Sequence, residues 1–193
     1  MNNISKLLIT VIITTTFGFS QTTYVPDDNF EQALIDLGYD DVLDDYVLTA
    51  NISGVEDLNV MEKEISDLTG IEDFTALTHL QCRVNQLTSL DVSSNTALTS
   101  LNCDQNAIPI LDVSSNTALT YINCHSNQLT NLDVSSNTAL ETLRCSYNLL
   151  TSLDVSNNTA LDYLECQSNQ LTSLDVSSNT ALTYLEVQDN QLT

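Results

Sequence analysis

Positive charge is nearly missing from this chain: four Lys and Arg stand against 26 Asp and Glu in 193 residues, a formal net charge of −22. With so few cations to neutralise phosphates, binding to nucleic acid or to an anionic membrane surface is excluded as a partner class. Metal-binding CxxC spacing is absent, and no nucleophile, base and orienting group occur together, so no cofactor and no enzymatic activity are expected. Apolar residues nevertheless make up 42% of the chain, enough to offset the entropy lost on ordering and to exclude intrinsic disorder.

Apolar runs long enough to span a bilayer are missing too. The one candidate, Leu7 to Phe19, is short and rich in Thr, follows Lys6, and ends near Gly18 and Ser20, the small residues of a cleavage site. The pattern predicts a signal peptide over residues 1–20, cut before Gln21, with a retained membrane anchor as the alternative. No Cys stands at the cleavage point for lipid attachment, since the first is Cys82. The mature chain is expected to be secreted or held at the cell surface, with no membrane span.

What the chain does have is repetition. From Leu77 the unit LTxLxCxxNQLTSLDVSSNTA recurs every 21 residues, starting at Leu77, Leu98, Leu119, Leu140, Leu161 and Leu182, the sixth copy being cut short at residues 182–193. A looser 22-residue version, Val55 to Ala76, precedes it. A period near 20 signals a solenoid whose turns bury a common core only by stacking. Within one unit, Leu101 and Cys103 alternate with Ser100, Asn102 and Asp104, the period of two of a short strand with one buried face. Equivalent strands run the same way, so they stack in parallel about 4.8 Å apart.

The residues Leu98, Leu101, Cys103, Asn106 and Ile108 match LxxLxLxxNxL, with Cys at one Leu position, and the match recurs over residues 55–193. The chain therefore resembles secreted bacterial leucine-rich-repeat proteins of the internalin type, and its repeat wording is similar to surface proteins of gliding-type bacteria with type IX secretion. The resemblance implies an α/β-type leucine-rich-repeat solenoid with parallel strands on the concave face, short turns on the convex face and a small helical N-terminal cap. Adhesion is what it implies for function. A type IX sorting domain is not found, and the end of the sequence inside a repeat leads us to expect further chain.

Leu101, Cys103, Ile108, Leu111, Val113 and their counterparts are expected to fill the core. Asn85, Asn106, Asn127, Asn148, Asn169 and Asn190 fall where the chain leaves each strand, and are expected to form an asparagine ladder satisfying buried backbone groups, with ligand contact as the alternative. Cys82, Cys103, Cys124, Cys145 and Cys166 lie one repeat apart, with side chains running side by side, so five buried, reduced thiols of raised pKa are expected rather than disulfides. Asp91, Asp112, Asp133, Asp154 and Asp175 form an acidic column. Each is expected to accept from backbone N–H groups of the turn that follows, with calcium bridging as the sharper alternative. The run Asp40, Asp41, Asp44 and Asp45 is a weaker calcium candidate, because it lacks the DxDxDG pattern.

Residues 21–54 differ in composition and read as a cap. Phe30, Ala33, Leu34 and Leu37 recur at helical spacing, Asp28 and Glu31 stand at capping-box spacing, Gly38 ends the helix, and Phe74 is expected to fill the same end. At the other end Leu185, Val187 and Leu192 are expected to be exposed or frayed. Pro109 and Ile110 interrupt the second full repeat and read as drift.

Function is expected where rungs differ, on the outward side of the strands. That side collects His79, Arg83, Tyr121, His125, Arg144, Tyr147, Tyr163, Glu165, Tyr184 and Glu186 as candidate ligand contacts. Tyr and Arg are enriched at contact surfaces because large planar groups lose little rotamer entropy on binding. A protein or glycan ligand is the expected partner. Two alternatives stand beside it: Tyr163 and Tyr184 stack only on each other, and the chain is a passive spacer for something encoded beyond Thr193.

Overall fold

The computed structural model describes residues 21–193; the expected signal peptide lies outside them. Strand β1 (Thr22–Tyr24) pairs antiparallel with β2 (Tyr46–Leu48), and helices α1 (Asp28–Asp36) and α2 (Thr49–Ile52) complete the N-terminal segment. Seven three-residue strands follow: β3 (Asp57–Asn59), β4 (His79–Gln81), β5 (Ser100–Asn102), β6 (Tyr121–Asn123), β7 (Thr142–Arg144), β8 (Tyr163–Glu165) and β9 (Tyr184–Glu186). They form one parallel sheet in chain order. From β4 onward the register joins each residue to the one 21 later, as in Leu101↔Ile122 and Leu143↔Leu164. This is the expected leucine-rich-repeat solenoid, with turns and irregular segments opposite the sheet.

Columns of identical side chains fill the inside. Leu98, Leu101, Cys103, Ile108, Leu111 and Val113 are buried, as are their equivalents from Leu77 through Leu171. All five cysteines are buried and unpaired. In the final rung Leu185 and Leu192 are exposed, while Val187 is only partly so and packs on the core.

Asparagine fastens rung to rung. Asn127 Nδ2 donates to Cys124 O at 3.1 Å in its own rung and to Cys103 O at 3.0 Å in the rung before, while Oδ1 accepts from Ile108 N at 3.0 Å. Asn106, Asn148, Asn169 and Asn190 repeat the pattern. The residue before each ladder Asn has left-handed backbone, φ 53° at Val84 and 55° at Tyr147, with no glycine in the column. The ladder amide grips the carbonyls two and three residues before it, as Asn85 does with Arg83 and Cys82, and so clamps this unfavourable kink.

A second asparagine column stands at the end of the turn that follows each Asp of the acidic column. Asn95, Asn116, Asn137, Asn158 and Asn179 are buried, and each Nδ2 donates to two carbonyls of the preceding rung; for Asn116 these are Val92 O and Asn95 O, both at 2.9 Å. Their Oδ1 atoms find no protein partner.

Helix α1 starts one residue earlier than its capping-box spacing suggests. Asp27, not Asp28, is the N-cap, with Oδ1 accepting from Asn29 N and Phe30 N at 3.0 Å. Glu31 does not reach back to close a box: it is buried, and its Oε1 accepts from Asp44 N and Tyr46 N at 3.0 Å. Gly38, at φ 81°, ends the helix, with Tyr39 N bonding Leu34 O and Gly38 N bonding Ile35 O. Phe30 packs on Phe74 with ring centroids 6.4 Å apart. Asp27 Oδ2 also accepts from Ser66 and Asp67, tying the helix start to the first turn of the solenoid.

Candidate ligand-binding face

Alternation along each strand sends the first and third residues outward and the second inward. Three outward columns result, offset by 21 residues per rung from β4 onward. The first holds His79, Ser100, Tyr121, Thr142, Tyr163 and Tyr184; the second Gln81, Asn102, Asn123, Arg144, Glu165 and Glu186. Just past the strands the third holds Arg83, Asp104, His125, Ser146, Gln167 and Gln188.

Five expected contact residues meet in one cluster over β7 to β9. The Tyr163 and Tyr184 rings stack at 4.3 Å with 5° between planes. Arg144 lies against the Tyr163 ring, its guanidinium carbon 5.0 Å from the centroid, and donates to Tyr163 Oη at 3.0 Å. Its Nε is 3.3 Å from Glu165 Oε2. Tyr163 donates to Glu165, and Tyr184 to Glu186. Burial pulls the Arg144 pKa down, but the Tyr163 hydrogen bond and the Glu165 charge outweigh it and leave the group above its ordinary value. Donating to the Glu186 carboxylate holds the Tyr184 proton well above the usual phenol range.

Tyr121, on β6 beside β7, lies near enough to act on the Arg144 charge; the other candidates lie apart from that cluster. His125 meets Tyr147 edge-on at 5.0 Å. Tyr147 is not on the strand run: it occupies the left-handed position after Ser146 and is exposed. Arg83 turns back to the first rung, 3.2 Å from Glu62 Oε1 and 3.4 Å from Met61 Sδ. His79 is exposed at the start of β4, its Nδ1 2.9 Å from Thr78 Oγ1. His79 and His125 are two rungs apart, about 10 Å by strand spacing, and four positions apart along the strand, about 13 Å more in the perpendicular direction.

Several outward positions are less open than alternation suggests. Asp104, Asn123 and Ser146 are 6%, 7% and 0% exposed, because neighbouring rungs crowd short side chains at this spacing. Ser146 donates to Gln167 in the next rung. Leu149, 45% exposed beside Tyr147, was missed; it replaces the Gln of neighbouring repeats, and that substitution was the available signal.

On the opposite side, Asp91, Asp112, Asp133, Asp154 and Asp175 each accept from the backbone N–H two residues on, at 2.8–2.9 Å. Hydrogen bonds from that Ser hold all five carboxyls below the usual range. Among the described residues, no three His, Cys, Asp or Glu side chains gather as metal ligands would. The thiols are poor nucleophiles: burial pushes Cys82, Cys103, Cys124 and Cys145 well above the ordinary thiol range and Cys166 up to about 12. No described helix is long and apolar enough to cross a membrane.

No family profile matches the chain. Over 87 residues it is 41% identical to internalin J of Listeria monocytogenes, a stretch covering 43% of this chain and 9% of that protein. The functional domain of InlJ from Listeria monocytogenes, described as including a cysteine ladder, superposes with a TM-score of 0.60 at 34% identity, over 90% of this chain and 49% of that one. An internalin C2 from the same species superposes with a TM-score of 0.65 over 91% of both chains, at 19% identity, a likeness of fold alone. The chain thus spans about half of the solved internalin J domain and under a tenth of the whole protein. It is a leucine-rich-repeat solenoid, internalin-like in architecture and similar to internalin J in the sequence of its repeats.

Proposed function

We propose that this solenoid is a noncovalent binding or adhesion module, secreted or held at the cell surface, that takes a protein or carbohydrate partner on the outward side of its strands. One observation carries the reading. Along β4 to β9 the inward residues barely change, whereas the outward side collects both His, two of the four basic residues and Tyr121, Tyr163 and Tyr184. A surface needed only for stacking has no use for such variation. The likeness to internalin J and the leader-like start of the sequence support display outside the cell.

A second reading, a passive spacer, is favoured by the cluster itself. Arg144, Tyr163, Glu165, Tyr184 and Glu186 already satisfy one another. A screen against glycans and surface proteins, run beside a Tyr121→Ala, Tyr163→Ala, Tyr184→Ala triple variant of matched melting, separates the two. Binding lost in the folded variant supports recognition by this face. Binding absent from both proteins favours the spacer.

A further inference from the structure

The outward side of β5 holds a carboxylate with an unmet demand. Asp104 is 6% exposed, and its Oδ1 is buried without a hydrogen-bond partner. Its Oδ2 receives a single long bond, 3.3 Å, from the amide of Gln105 next to it, an exposed side chain free to swing aside. A buried carboxylate left in this state is costly unless a donor reaches it.

Its neighbours in the column are the natural donors, and both turn away. Arg83, one rung before, is committed backward to Glu62 and Met61. His125, one rung after, leans forward onto Tyr147. Among the described residues every cation is already paired: Lys63 with Asp36, Arg83 with Glu62, Arg144 with Glu165. The described residues offer Asp104 no free Lys or Arg, while the net charge of −22 draws cations toward it.

We propose that Asp104 is the anchor of a subsite on the strand face, between Arg83 and His125, that receives an ammonium or guanidinium group from a basic segment of a partner protein. The arriving group takes the place of the Gln105 amide on Oδ2 and donates to the carboxylate there. Burial then works in favour of binding, since a charge-assisted hydrogen bond is stronger away from water. The inference rests on the strand face being a recognition surface, and narrows its partner to a protein carrying a basic side chain.

The test titrates the peptide acetyl-Gly-Lys-Gly-amide into the protein, followed by NMR at the Asp104 side-chain carbon and the Gln105 and His125 amides, with acetyl-Gly-Gln-Gly-amide as the neutral control. Saturable shifts with the Lys peptide alone are expected. Asp104→Asn should weaken them by about tenfold or more. The same variant should melt no lower than the parent, whereas a purely structural carboxylate would lose stability when neutralised. Equal shifts at the exposed Asp28 and Glu64, or shifts undiminished in Asp104→Asn, overturn the subsite as general attraction to a polyanion. A neutral oligosaccharide that moves the strand-face amides when the Lys peptide does not overturns the cationic class and leaves the recognition face standing. If no ligand moves that face, both readings fall.

Discussion

Each strand has two sides that obey different rules. Inward, Leu101, Ile122, Leu143 and Leu164 occupy one column and Cys103, Cys124, Cys145 and Cys166 the next, all buried. Outward, Tyr121, Thr142, Tyr163 and Tyr184 share one column, and Asn123, Arg144, Glu165 and Glu186 the next. The inner side is constrained by volume, because any rung must fit its two neighbours at close-packed density. The outer side is constrained less tightly, by the crowding of short side chains and by contacts between neighbouring rungs, which leaves more of its chemistry open to vary. Sites in a stacked repeat are therefore found by subtraction, removing what every rung shares.

That contrast can be broken most severely by putting charge on the inner side. Leu143→Asp should abolish cooperative melting by circular dichroism, since a buried unpaired carboxylate in place of a core Leu costs more than about 4 kcal/mol. The asparagine columns should follow. Asn127→Ala, losing a bond at Oδ1 as well as those at Nδ2, should cost about 2–4 kcal/mol in urea denaturation. Asn137→Ala, whose Oδ1 has no protein partner, should cost less; an equal or larger loss would place an ordered water on that oxygen.

Acid probes the turn side. The Asp column is held below its ordinary pKa, so its contribution is present above the unfolded value and lost as pH falls below about 4 and through the folded values. Asp112→Asn with Asp133→Asn should flatten the melting temperature against pH in that window and leave it unchanged near neutrality in slope. Tyr163→Ala on the outer side should lower stability by at most about 1 kcal/mol, the stacking contribution of one aromatic pair. A larger loss would move Tyr163 from the proposed recognition surface to the scaffold. Smallest of all, a chelator should leave melting where it was. A fall of several degrees would reveal a bound metal, with the Asp column and the run Asp40, Asp41, Asp44 and Asp45 as its candidate sites.

The 21-residue period carried the fold because identical columns admit only one register: slipping by one residue would bring polar positions inside. The ladder of Asn85 through Asn190 was legible for the same reason, an amide repeating at a chain reversal. The column of Asn95 was not, because SSNT reads equally well as an exposed turn, and only the packed structure shows its amide reaching Ile71 O and Phe74 O. The start of α1 eluded spacing because Asp27 and Asp28 are adjacent acids and Glu31 fits a capping box; the hydrogen bonds to Asp44 and Tyr46 that claim Glu31 come from 13 and 15 residues away. On the candidate face, alternation assigned sides correctly but not exposure. Asp104 and Ser146 point outward and are still covered, since rungs this close shield short side chains.

The ladder also has a direction. Asn106 Nδ2 reaches back to Cys82 O, Asn127 to Cys103 O and Asn148 to Cys124 O, each a carbonyl of the rung before, and their Oδ1 atoms take N–H groups from that same rung. Each rung thus carries the side chain that fastens it to its predecessor, and this fastening needs nothing from its successor. Assembly can therefore run from the α1 end and close one turn at a time, each added rung covering the apolar columns of the one before.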